Sequence, residues 1–152
     1  MREILFRGKR LDNGEWAEGY LGQDTIIGNG NTWLGYVIKP IPKKLWDCDW
    51  FEIDPTTIGQ YTGLTDKNGA KIFEGDILQF YDDEIQVVEW SEAWSQIMLH
   101  TYGEHERKVG RKTVKEKFEG WNDLHDYPLE DMPILGNIHD NPELMKDGEV
   151  GC

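Results

Sequence analysis

Three Asn-Gly turn signals, each set between runs of β-forming residues, constrain this chain more tightly than any other feature. Asn and Gly accept positive φ at low cost, so Asp66-Lys67-Asn68-Gly69 reads as the turn of a hairpin within residues 57–78. Asp12-Asn13-Gly14 predicts a second hairpin within residues 4–20. Gly28-Asn29-Gly30-Asn31 separates Thr25-Ile26-Ile27 from Trp33-Leu34-Gly35-Tyr36-Val37-Ile38 and predicts a third strand pair. A chain punctuated in this way makes short antiparallel strands, and the expected fold class is mainly β.

The rest of the chain continues the pattern. Pro40-Ile41-Pro42 blocks regular structure, residues 46–53 offer one more aromatic strand, and Asp54-Pro55 turns the chain. Residues 76–81, 85–90 and 95–100 read as strands, with an acidic turn at Asp82-Asp83-Glu84, and strands this short and closely spaced suggest a small barrel. Residues 134–138 resemble a closing strand. Trp121, Leu124 and Tyr127 fit one face of a short helical turn ended by Pro128, and a terminal helical turn or tail begins at Asn141. The stretch 103–120 fits neither a helical nor a strand period. Between His105 and Lys117 it carries Arg107, Lys108, Arg111, Lys112, Lys115 and Lys117 against only Glu106 and Glu116.

Composition sets further bounds. Seven Trp, six Tyr and five Phe in a chain that is 38% hydrophobic imply that ring side chains carry much of the packing. The formal charge of −13 and pI near 4.6 make phosphate-backbone attraction a poor source of affinity, so nucleic acid is a disfavoured partner. No charged-then-apolar leader opens the sequence, and no apolar run approaches the roughly 20 residues that cross a bilayer. Cys48 and Cys152 form no CxxC pair, which fits a reducing compartment. The expectation is a soluble, cytoplasmic protein with no membrane association.

Candidate chemistry is sparse. Asp47, Asp49, Glu52 and Asp54 form the densest carboxylate cluster, but strand alternation puts the first two on one face and the last two on the other, so a solvated acidic face is expected rather than a metal site. Matching Asp66-Lys67-Asn68-Gly69 to a calcium loop puts Leu64 at the first ligand position and Gly75 at the last, which excludes it. His100, His105, His125 and His139 raise a hydrolase or nuclease reading, with Asp126 or Asp140 orienting His125 or His139. Against it, no HExxH, Cys/His zinc pairing or GxSxG is present. Gly8, Gly14, Gly59, Gly63, Gly69 and Gly75 make no GxGxxG or GxxxxGK and read as turn glycines. The basic stretch 105–117, with Phe118 and Trp121 beside it, is the one place where phosphate contact with base stacking is imaginable; the overall charge favours a solvated loop.

Three separated blocks resemble one family. They are Phe6-Arg7-Gly8-Lys9 with Gly14-Glu15-Trp16; Gly59-Gln60-Tyr61-Thr62-Gly63-Leu64 with Asp66-Lys67-Asn68-Gly69 and Glu74-Gly75-Asp76-Ile77; and Gly136-Asn137-Ile138 with Asn141-Pro142-Glu143-Leu144. In order and spacing they are similar to the YopX family of phage and prophage proteins. That resemblance implies an N-terminal β-hairpin subdomain (1–56) followed by an SH3-like small barrel (57–152), in which the inserted basic segment at about 103–120 lies between matching blocks and departs most from the shared pattern. It implies no catalytic residue and no cofactor. The resulting expectation is a non-enzymatic phage accessory protein of the bacterial cytoplasm that binds a host or phage protein and forms homo-oligomers. Two alternatives stand beside it: a hydrolase or nuclease using His125, His139 and nearby carboxylates, and an acidic DNA mimic. The mimic draws on Asp76, Asp82, Asp83, Glu84, Glu89 and Glu92, and on the acids after Trp121.

Overall fold

Where turn chemistry and alternation agree, strands form. The computed structural model describes residues 3–41, 50–80 and 84–145, and the chain divides into two compact units, Met1–Gly63 and Leu64–Cys152. The first holds β1 (Phe6–Lys9), β2 (Trp16–Gly28), β3 (Asn31–Lys39) and β4 (Phe51–Glu52), and β5 (Gly59–Thr65) carries the boundary. The second adds β6 (Lys71–Phe73), β7 (Asp76–Phe80), β8 (Glu84–Ser91), β9 (Gln96–Val109), β10 (Lys112–Asn122) and β11 (Ile134–Asn137). One sheet runs β4-β3-β2-β1-β5-β6 and the other β10-β9-β8-β7-β11.

All three expected hairpin turns are present. Asn29 (φ 50°) and Gly30 (φ 76°) are both left-handed, the requirement of a two-residue turn whose twist matches its strands, and they close Gly28 against Asn31. Gly69 (φ 79°) donates its N–H to the Asp66 carbonyl at 3.0 Å, while the Asp66 N–H reaches the Ala70 carbonyl at 2.9 Å. At the third, the Gly14 N–H donates to the Arg10 carbonyl at 2.9 Å. Not every glycine serves a turn, however. Gly8 lies within β1, where a Cβ would run into the Ile53 side chain, and Gly59 and Gly63 lie in β5.

Within the first unit, Ala17, Ile38 and Ile53 form a small core flanked by Phe6, Leu21, Phe51 and Ile58. On β1 the cations of Arg7 and Lys9 lie over the Trp16 ring, 4.7 and 5.5 Å from its centre. Packing in the second unit follows from two apolar doublets. Neighbouring residues of a strand point to opposite faces, so Ile77-Leu78 and Val87-Val88, all fully buried, show that β7 and β8 are covered on both sides. Leu78, Phe80, Val88 and Leu99 pack with Ile72, Leu129 and Met132 on one face, and Ile77 and Val87 with Tyr102 and Met145 on the other. Each such aliphatic side chain contributes about 1.5–3 kcal/mol by burial.

Four expectations change. The second unit carries an open five-stranded sheet with β10 and β11 at its edges, not a closed SH3-like barrel. Among the described residues, its β9 pairs with β8 as far as Tyr102 and continues to Val109 against β10, so the sheet runs out into a ribbon. The short C-terminal helical segment reduces to 3-10 turns at Leu129–Asp131 and Pro142–Met145. Trp121 belongs to β10, its backbone committed to the pairing with His100. The basic stretch is the hairpin of β9 and β10, turning at Gly110-Arg111. Finally, aliphatic residues supply the interior: Trp33, Trp50, Trp90, Trp94 and Trp121 are exposed and Trp16 is half-buried, while Tyr61, Phe73, Phe80 and Tyr102 are the buried rings among the described residues. Among the described residues, the outer β2–β3 and β9–β10 are two-stranded and lie beyond the core clusters that would bury an indole.

Candidate functional site

The carboxylate cluster can be followed in part, since Asp47 and Asp49 lie outside the described residues. Glu52 accepts the Trp33 indole N–H at 2.8 Å, and Asp54 caps a 3-10 turn by accepting the Thr56 N–H at 3.0 Å and its hydroxyl at 2.8 Å. Both carboxylates have local structural partners. Among the described residues, no group of three or more His, Cys, Asp or Glu is arranged to hold a metal ion.

His125 and His139 sit in separate turns. His125 is exposed and lines an open cleft of about 440 Å³ with Leu64, Leu124, Tyr127 and Glu130. Its neighbours are occupied by backbone: Asp123 accepts the His125 N–H at 2.9 Å, and Asp126 accepts the Asp123 N–H at 3.1 Å. At the second turn Asn137 accepts the N–H groups of His139 and Asp140, at 3.0 and 2.9 Å, and its amide donates to the Asp140 carboxylate at 3.1 Å. These bonds shape the turns after β10 and β11.

A cluster that sequence reasoning missed lies across β8, β9 and β10. Register brings Trp121 opposite His100 and Glu119 opposite Tyr102, and alternation puts Glu89 on the same face. His100 Nδ1 is 2.7 Å from Glu89 Oε2, and its Nε2 is 3.2 Å from Glu119 Oε2. The Trp121 ring stacks on the imidazole with centroids 3.9 Å apart and planes at 12°. Tyr102 donates its hydroxyl to Glu89 at 3.3 Å and also meets His100 Nδ1. Burial and the adjacent Glu89 and Glu119 carboxylates push the Tyr102 phenol well above its ordinary range, which keeps it a donor. With a carboxylate at each ring nitrogen, His100 clasps three strands together. The signal lay in the pairing of residues 21 positions apart, invisible until the register is known.

Beyond this clasp the β9–β10 ribbon projects with both faces in solvent. Residues 104–115 are all exposed. Lys115 faces Glu106 across the strands, and Arg107 pairs with Glu116 at 2.7 Å. Lys108, Arg111, Lys112 and Lys115 make no ion pair among the described residues. A second exposed arm, formed by the outer halves of β2 and β3, carries Ile27, Leu34 and Tyr36 on one face by register, with Ile27 78% and Leu34 65% exposed. The described surface thus presents one arm with an exposed apolar face and one basic arm.

No helix among the described residues is long and apolar enough to cross a membrane. No curated protein matches the chain. The family model described as YopX protein matches residues 5–146, nearly the whole length and all three of the motif blocks. The chain therefore belongs to the YopX family.

Proposed function

We propose that this protein acts by binding rather than by catalysis, as a phage- or prophage-encoded accessory protein in the bacterial cytoplasm that self-associates and engages a host or phage protein. The observation that carries the reading is the β2–β3 arm. Ile27 and Leu34 stand on one exposed strand face beside Tyr36, a grouping that a soluble chain covers by association. Support also comes from the histidines: His100 is clasped between carboxylates, and the acids nearest His125 and His139 shape turns.

The test is light scattering on purified protein at micromolar concentration, with Ile27→Asp/Leu34→Asp as the perturbation. The expected result is an assembly larger than the 17.7 kDa chain that the double substitution dissociates. A strict monomer removes self-association. Hydrolysis of nucleotides, nucleic acid or esters that is lost on His125→Ala or His139→Ala overturns the non-enzymatic reading.

A further inference from the structure

We infer that the β9–β10 ribbon of one copy docks on an acidic stretch of a second copy, a contact that rests on the self-association proposed above and adds an electrostatic interface to the apolar one. The argument begins with charge. Between His105 and Lys117 six basic residues stand against two carboxylates, a net of +4, which leaves the remainder of a −13 chain at −17. The ribbon's cations are largely left to solvent within one chain, because residues 104–115 are exposed and four of the cations make no ion pair among the described residues.

Of the charge pairings open to two copies, only one is attractive. Two ribbons repel each other, as do two acidic bodies, whereas a ribbon meeting a body gains from both charges. Lysines along a free strand edge also discourage ribbon-to-ribbon pairing. Residues 121–145 offer a receiving stretch, where Asp126, Glu130, Asp131, Asp140 and Glu143 are exposed and no Lys or Arg occurs. A two-stranded ribbon is marginally stable by itself in water, so seating it on a partner also supplies the support it lacks. Reciprocal exchange, ribbon onto body in both directions, closes the assembly as a two-fold dimer.

Light scattering and sedimentation across ionic strength test this. Raising salt from about 0.05 to about 0.5 M is expected to weaken the assembly by about tenfold or more, because exposed charges lose range as the screening length shortens. Lys112→Glu/Lys115→Glu should weaken it by a similar factor, and Glu130→Lys/Asp131→Lys likewise. Mixing the two variants should give a heterodimer tighter than either variant's own assembly, since the unaltered ribbon of one then meets the unaltered acidic stretch of the other. Circular dichroism of each variant checks that it folds. An assembly indifferent to salt and to both reversals overturns ribbon docking while leaving self-association in place. A wild-type monomer overturns both, and a ribbon-dependent complex with single-stranded DNA in such a monomer assigns the cations to phosphate instead.

Discussion

Replacing Asp66 by Asn tests the physical reading of the central hairpin at its most constrained atom. The carboxylate is buried and accepts three backbone N–H groups: Asn68 at 2.8 Å and Ala70 at 2.9 Å on Oδ1, and Ile134 at 3.1 Å on Oδ2. Burial alone would raise its pKa, but the N–H groups of Ile134, Ala70 and Asn68 outweigh that and hold it below the ordinary carboxylate range. Asn keeps one oxygen for the turn but turns an NH2 toward the Ile134 N–H, or the reverse. That exchanges a charge-assisted bond of about 1.5–3 kcal/mol for two opposed donors, so Asp66→Asn should cost about 2–4 kcal/mol at neutral pH. Because the folded pKa is depressed, this stabilisation is complete above the unfolded value of about 3.9 and disappears as pH falls through the folded one. Urea unfolding of both proteins between about pH 7 and pH 3 should show the gap narrowing on the acid side as wild type loses it. A loss under about 0.5 kcal/mol at neutral pH, or a gap that persists unchanged into acid, refutes the reasoning.

Other expectations follow from single features. Gln86 is fully buried, and its side-chain oxygen and nitrogen have no hydrogen-bond partner among the described residues, so Gln86→Met should raise stability by about 1 kcal/mol or more; a loss on urea unfolding would show that the amide is engaged. Gly69→Ala forces a Cβ onto a residue at φ 79° and should cost about 1 kcal/mol, read as a lower thermal midpoint. His100→Ala removes the clasp between Glu89 and Glu119 and should cost about 2–3 kcal/mol while speeding amide exchange in residues 103–118; unchanged exchange there would deny His100 its role at the ribbon's root.

Asp66, His100 and Trp121 mark how far the sequence can be read. Local rules reach as far as neighbouring residues do. Positive φ at Asn29, Gly30 and Gly69 depends on a few adjacent residues, and alternation within 76–90 depends on the pleat, so the hairpins and the β class are legible in the chain itself. The three motif blocks likewise reveal the family. Where Asp66 sends its second oxygen is a different matter, because Ile134 lies 68 positions away and comes within reach only when β11 joins the sheet. The Glu89–His100–Glu119 clasp needs the register of three strands, and a one-residue slip in any of them would scatter it to opposite faces. Composition suggested an interior of rings. Whether a ring is buried depends on what covers the strand face bearing it: Trp33 stays exposed, and Trp121, stacked on His100 by one face, stays exposed on the other side of the stack. Turns and strands were thus determined locally by the sequence, whereas sheet closure, ring burial and the juxtaposition of His100 with its carboxylates were decided by the tertiary structure, because each depends on residues that only long-range pairing brings together.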